Sequence, residues 1–149
     1  LVDAMGEATR MQNMGAYLTT LFEVDALFLN QDRHLNNIAL IRDKSRYKPC
    51  PIFDCGDSFL LDFALYSPEI ESRAYLTKAQ CLPFKSRFTQ TVHTAQALYG
   101  KQLVVNIDKT SIDMILDKYL CYYPKQFHFL LKERIETVLM EQQKKLFEK

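Results

Sequence analysis

Apolar positions are densest between residues 16 and 29, where Tyr17, Leu18, Leu21, Phe22, Val24, Leu27, Phe28 and Leu29 cover a wide arc. An arc that wide predicts a helix buried in a core, not one lying on a surface. Gly15 and Asn30 punctuate its two ends. Two short apolar runs follow, 38–41 and 50–53, separated by the polar stretch 42–48. That change of period predicts an antiparallel hairpin with strands near 38–42 and 49–53 and a longer loop between them. Pro51 puts the second strand at an edge or a bulge. Residues 57–87 are the least regular; Ser67-Pro68-Glu69 reads as a helix start capped by Ser67, and Pro83 breaks the pattern again.

Three further helices are expected. One spans residues 86–99, turns Phe88, Val92, Ala95 and Leu98 inward and stops at Gly100. The next is capped by Asp108 and buries Ile112, Ile115, Leu116, Tyr119 and Leu120. The last starts at Pro124 and runs nearly to the end, roughly 25 residues or about 37 Å, with Phe127, Leu130, Leu131, Ile135, Val138, Leu139 and Leu146 on one face. The fold class is therefore mainly α with a small antiparallel β-hairpin, in a single domain over residues 1–149 with no internal repeat or linker.

Composition narrows the function classes. With 19 Lys+Arg against 18 Asp+Glu the net charge is +1, which gives no basis for direct nucleic-acid binding or a membrane surface. A hydrophobic content of 48% with 25% charged residues is ordinary globular usage and excludes a disordered chain. No apolar run approaches the ~20 residues of a membrane helix. The 4 cysteines, Cys50, Cys55, Cys81 and Cys121, have no CxxC spacing and point to a reducing, cytoplasmic setting. Residue 1 is Leu, with no secretory signal, so a piece of a longer polypeptide is expected. The four glycines lie too far apart for GxGxxG, and Ala95 stands where a Walker A loop ending at Gly100-Lys101 needs Gly. The three histidines are never i, i+4, which excludes an HExxH zinc helix.

One constellation carries chemistry. Asn30-Gln-Asp-Arg-His-Leu-Asn-Asn37 follows the buried helix, and Ile52-Phe-Asp-Cys-Gly56 follows the hairpin. The carboxylate of Asp32 is followed five residues later by the amide of Asn37 and 22 residues later by the carboxylate of Asp54. A hairpin between them returns the chain to its start, so the three oxygen-bearing side chains are expected to converge on one exposed cleft. Carboxylate and amide oxygens suit Mg²⁺, which keeps several waters and takes its other ligands from substrate phosphates. Phosphoryl transfer needs that arrangement: a positioned hydroxyl and neutralised phosphate charge, with little covalent work for the protein.

N-x-D-R-H-x-x-N, then a hairpin leading into P-x-x-D and D-x-G, resembles the catalytic and metal-binding loops of the protein-kinase-like superfamily. The order Asp-Arg-His is that of phosphatidylinositol-kinase-type enzymes, and the whole pattern is similar to HipA-like bacterial serine/threonine kinases, including the compact CtkA-like ones. The resemblance covers residues 16–60; the later helices suit a kinase C-terminal lobe. It implies an ATP- and Mg²⁺-dependent kinase acting on Ser/Thr hydroxyls of a protein substrate. Asp32 would orient the hydroxyl, supported by His34 as its catalytic neighbour. Asn37 and Asp54 would bind the metal and, through it, the nucleotide. Arg33 would support the loop or contact phosphate. Asn36 is out of register, because the family spacing from Asp to Asn is five. Cys55 stands where the protein-kinase motif carries Phe. The resemblance also implies an N-terminal lobe of strands that covers ATP, for which the 31 residues before Asp32 leave no room, and an antitoxin-type partner through which alone DNA would be contacted.

Each of these residues also has a plainer role. Asp32, Arg33 and His34 suit an ordinary loop with a local Asp–Arg pair. Asp57 suits a turn rather than a third ligand, and His93 and His128 suit structural positions on helices. Cys55 has no cation beside it in sequence to lower its pKa. Two other functional readings stand beside the kinase: a kinase-like lobe kept for protein interaction, as in a pseudokinase, and a metal-dependent phosphatase or nuclease using Asp32, Asp54 and His34. The last class wants a denser Asp/His set for two metals than the chain supplies.

Overall fold

The computed structural model describes residues 1–82 and 84–147. Pro83, read as a breaker, and residues 148–149 at the end of the last expected helix lie outside them. The elements are α1 (Val2–Thr9), α2 (Met14–Phe28), β1 (Leu40–Asp43), β2 (Arg46–Pro49), α3 (Arg73–Leu76), α4 (Phe88–Tyr99), α5 (Lys109–Tyr119) and α6 (His128–Leu146), with single 3₁₀ turns at Leu35–Asn37, Leu120–Tyr122 and Lys125–Phe127. The chain is mainly helical, with one antiparallel two-stranded hairpin. No helix among the described residues is long and apolar enough to cross a membrane.

α2 is the centre of the core, as its wide apolar arc requires. Met14, Leu18, Leu21, Phe22 and Ala26 pack against Phe88, Val92 and Ala95 of α4 and Val138 and Leu146 of α6. Leu18, Leu21, Val92 and Val138 have almost no exposed surface; truncating one such side chain to Ala costs about 2–5 kcal/mol. Gly15 lies inside α2, one residue past its start, instead of before it. A Cβ there would collide with the Tyr99 ring, so the glycine is what lets α4 close on the first turn of α2. A smaller cluster of Leu27, Ile112 and Leu139 joins α5 to α6.

Several expectations shift. The hairpin strands are 40–43 and 46–49, paired Leu40–Pro49 through Asp43–Arg46 across a two-residue turn at Lys44-Ser45. The polar stretch expected as loop is thus most of the sheet. The ribbon projects into solvent, so its charged side chains face water on both sides and no apolar alternation is needed; Lys44 takes the left-handed φ of 53 that the tight turn demands. Ser67-Pro68-Glu69 forms a turn, in which the Ser67 hydroxyl accepts the Glu69 N–H at 3.2 Å, and helix begins only at Arg73. Leu98, Ile115 and Tyr119 are exposed, because only one narrow side of α4 and of α5 meets the core. Asp108 does cap α5, accepting the Ser111 N–H at 2.7 Å, which holds its carboxyl below the usual range. α6 starts at His128 after a 3₁₀ turn. α1 has no counterpart among the expected elements; it buries no residue fully and lays Val2 and Met5 on the core edge.

Candidate functional site

The chain leaves α2 through Leu29, left-handed at φ 52, and the Asn30 N–H returns to the Asp25 carbonyl at 2.8 Å. Asp25, in the last turn of α2, is wholly buried. Its carboxylate accepts Arg33 Nε at 2.9 Å, Arg33 Nη2 at 2.8 Å and the Asn30 amide at 2.9 Å. The other arm of the guanidinium, Nη1, donates to the carbonyls of Asn37 at 2.8 Å and Phe53 at 2.7 Å, while Nη2 also reaches Cys55 Sγ at 3.5 Å. All five N–H groups are therefore engaged. Burial opposes the charge, but the hydrogen bonds and charge of Asp25 outweigh it and raise the Arg33 pKa.

Arg33, fully buried and saturated, braces the loop and has no donor left for phosphate contact. Its brace has a consequence for the candidate ligands. One nitrogen holds the backbone of Asn37 and the backbone beside Asp54, so the segment before the hairpin and the segment after it are fixed to each other. Two amides add to this: Asn37 Nδ2 donates to the Asp32 carbonyl at 3.1 Å, and Asn30 Nδ2 donates to the Asp54 carbonyl at 3.3 Å.

Asn37 is mostly buried, and with its amide nitrogen committed to Asp32 its Oδ1 is the end left for a ligand. The carboxylates of Asp32 and Asp54 are exposed and accept no hydrogen bond among the described residues. Asp54 has φ 53, a left-handed conformation that Asp tolerates better than most residues. His34 Nε2 lies 3.9 Å from Asp32 Oδ2, too long for a hydrogen bond, and its Nδ1 is buried without a partner. Two carboxylates and an amide oxygen are hard donors, which fit Mg²⁺. No group of three His, Cys, Asp or Glu side chains among the described residues is arranged to hold a metal, so an ion here would depend on Asn37 and on water or phosphate oxygens.

Asp57 is more than a turn residue. Its carbonyl accepts the Gln31 N–H at 3.1 Å, and its carboxyl pKa is raised, first by burial and then by the charges of Asp32 and Asp62. It adds negative potential where Asp32 stands. Cys55, without a cation nearby in sequence, has one in space at Arg33.

The segment after Asp54 is held from both sides. Phe59 and Leu60 are both left-handed, at φ 58 and 59, which costs such residues about 1–2 kcal/mol each. The Phe59 N–H bonds the Phe28 carbonyl at 2.8 Å, and Arg134 of α6 donates to the carbonyls of Leu60, Tyr66 and Ser67, the last two at 2.7 Å. Arg134 is fully buried with no carboxylate on it; burial lowers its pKa, and the Phe63 ring lies 5.1 Å from its guanidinium carbon. Gln31 donates to the Tyr66 hydroxyl, tying this clamp back to the loop.

Asp25 and Arg134 escaped the reading of the sequence. The signal for Asp25 was present: an acid on an apolar helix, eight residues before an Arg in a polar loop. Arg134 offers none, because its partners are backbone carbonyls 67 to 74 residues away.

No protein-family model matches this chain, and neither does any curated protein or solved structure.

Proposed function

We propose that this chain is the catalytic C-terminal lobe of an ATP- and Mg²⁺-dependent kinase that phosphorylates Ser/Thr hydroxyls of a protein substrate. The observation that carries the reading is the double hand-hold of Arg33 Nη1 on the carbonyls of Asn37 and Phe53. It makes one rigid unit of the segments bearing Asp32, Asn37 and Asp54 while leaving both carboxylates open to solvent.

In this reading Asp32 accepts a hydrogen bond from the attacking hydroxyl and orients it, with His34 alongside. Asn37 and Asp54 hold the metal, whose contribution when bound is to neutralise phosphate charge. Such catalysis is positioning and electrostatics, for which a braced loop is the right platform. Among the described residues the only sheet is the hairpin, so the surface that covers adenine and grips the β- and γ-phosphates has to come from elsewhere, as an N-terminal lobe.

The test is transfer of radiolabelled phosphate from ATP to a protein substrate by the chain joined to such a lobe, compared with its Asp32→Asn and Asp54→Asn variants. Loss of transfer in both, with folding intact, is expected. Equal transfer by the wild type and Asp32→Asn removes the role assigned to Asp32. Metal binding without transfer in any form would favour a kinase-like lobe that serves as an interaction module.

A further inference from the structure

The hairpin of β1 and β2 carries Arg42, Lys44, Arg46 and Lys48 against the single acid Asp43, a local charge of +3 in a chain whose net charge is +1. All four cations are exposed, and none forms an ion pair among the described residues. Asp43 stands opposite Arg46 in the register without pairing with it, and Arg42 commits only its Nε, to the Lys44 carbonyl at 3.2 Å. Solubility needs charge of mixed sign, whereas a single-sign field steers a partner of the opposite sign. A second observation is independent of charge. Among the described residues the sheet has only these two strands, so each keeps an outer edge of backbone N–H and C=O groups that pair with no other strand. The ribbon also has a telling place: its first rung, Leu40–Pro49, lies three residues after Asn37 and five before Asp54.

We propose that this ribbon is a docking surface for an extended acidic peptide. Free cations alone would accept any polyanion. The open strand edge selects among them, because a peptide brings backbone donors as well as acceptors, while a phosphodiester chain or a lipid surface brings no row of N–H groups for the edge carbonyls. Carboxylates of the added strand then meet the cations that flank it. Under the kinase reading, on which this further step rests, the peptide belongs to the protein substrate. Arg42 follows Asn37 by five residues and Lys48 precedes Asp54 by six. An extended strand matches such a stretch nearly residue for residue at ~3.4 Å each, so the acids should stand about 4–6 positions from the phosphorylated hydroxyl.

The experiment is fluorescence anisotropy of a labelled peptide with one Ser and a run of Glu at that spacing, titrated with the 149-residue chain. Its comparisons are the same peptide with Gln for Glu, the acidic peptide N-methylated at alternate backbone positions, and an oligothymidylate strand. The acidic peptide should bind saturably and at least tenfold more tightly than each of the three. Arg46→Gln/Lys48→Gln should weaken it at least tenfold, whereas Lys118→Gln/Lys125→Gln, which removes the same charge elsewhere, should leave it unchanged. All four positions are exposed, so these substitutions leave the fold intact. Equal affinity for the Glu and Gln peptides, indifference to the hairpin variant, or binding of the oligothymidylate as tight as that of the acidic peptide overturns the proposal. The kinase reading fails separately: an acidic peptide that binds as expected but is not phosphorylated by the chain joined to its N-terminal lobe supports the docking surface and removes the substrate role. Phosphorylation of the Gln peptide as fast as the acidic one, with equal binding, overturns the docking surface and leaves the kinase.

Discussion

The guanidinium of Arg33 closes a two-point fork on the carboxylate of Asp25, with Nε at 2.9 Å and Nη2 at 2.8 Å, and both side chains are excluded from water. Removing one partner strands the other. Asp25→Ala should therefore cost about 3–5 kcal/mol in chemical denaturation. The Asp25→Leu/Arg33→Met double variant leaves no charge buried, so its remaining cost should come from the Asn37 and Phe53 carbonyls that lose their donor. The double variant should still lose the tie between Asn37 and Phe53, visible as faster amide exchange through residues 52–57. A double variant with native exchange there would show that the brace does not organise the site.

Why part of this was legible and part was not follows from the range of each interaction. The burial of α2, the Asp108 cap and the stop at Gly100 are written in residues a few positions apart, so spacing alone reveals them. The position of the hairpin is not, because Arg42, Arg46 and Lys48 enter strands only by virtue of the tight turn at Lys44-Ser45 in open solvent. The candidate ligands Asp32, Asn37 and Asp54 stood out by chemistry and interval. What joins their segments did not: the Arg33 contacts to Phe53 and Cys55 cross 20 and 22 residues, and the Arg134 clamp crosses more than 60.

Asp54 combines an exposed carboxylate with a left-handed backbone at φ 53. Asn enters that region readily, whereas Ala does so at a cost of about 1–2 kcal/mol. Asp54→Asn should leave the thermal midpoint nearly unchanged, and Asp54→Ala should lower it. If Asp54 is a metal ligand, Mn²⁺ used in place of Mg²⁺ should broaden the Asn37 side-chain amide signals in the wild type and much less in Asp54→Asn. Equal broadening in both would take Asp54 out of the ligand set.

Glu23 is buried in α2 and accepts three hydrogen bonds: from Gln96 Nε2 at 2.8 Å, Leu103 N at 2.8 Å and Gln102 N at 3.2 Å. Two of these come from the backbone that follows α4, so one carboxylate fixes the course of that loop. Glu23→Ala should leave the donors unmatched and cost about 1–3 kcal/mol per buried group. Hydrogen exchange at Leu103 should accelerate with it; a protected Leu103 in the variant would mean that the loop is held by other means.

Asp57 gives the chain a pH dependence of defined sign. Burial, then the charges of Asp32 and Asp62, raise its carboxyl pKa above the ordinary 3.8. The folded state therefore holds this proton more tightly than the unfolded chain does. Between the ordinary value and the raised one the folded state binds more protons, so this residue's contribution to stability falls as pH rises through that window. Above the raised pKa the loss is complete and constant. Asp57→Asn keeps the backbone bond to Gln31 and removes the ionisation, so it should stabilise the chain at neutral pH and have little effect well below pH 3.8. Denaturation midpoints of both proteins across the acid range give the comparison directly. The difference between variant and wild type should grow with pH and then level off; a difference independent of pH would mean that the Asp57 charge is not under strain from its neighbours.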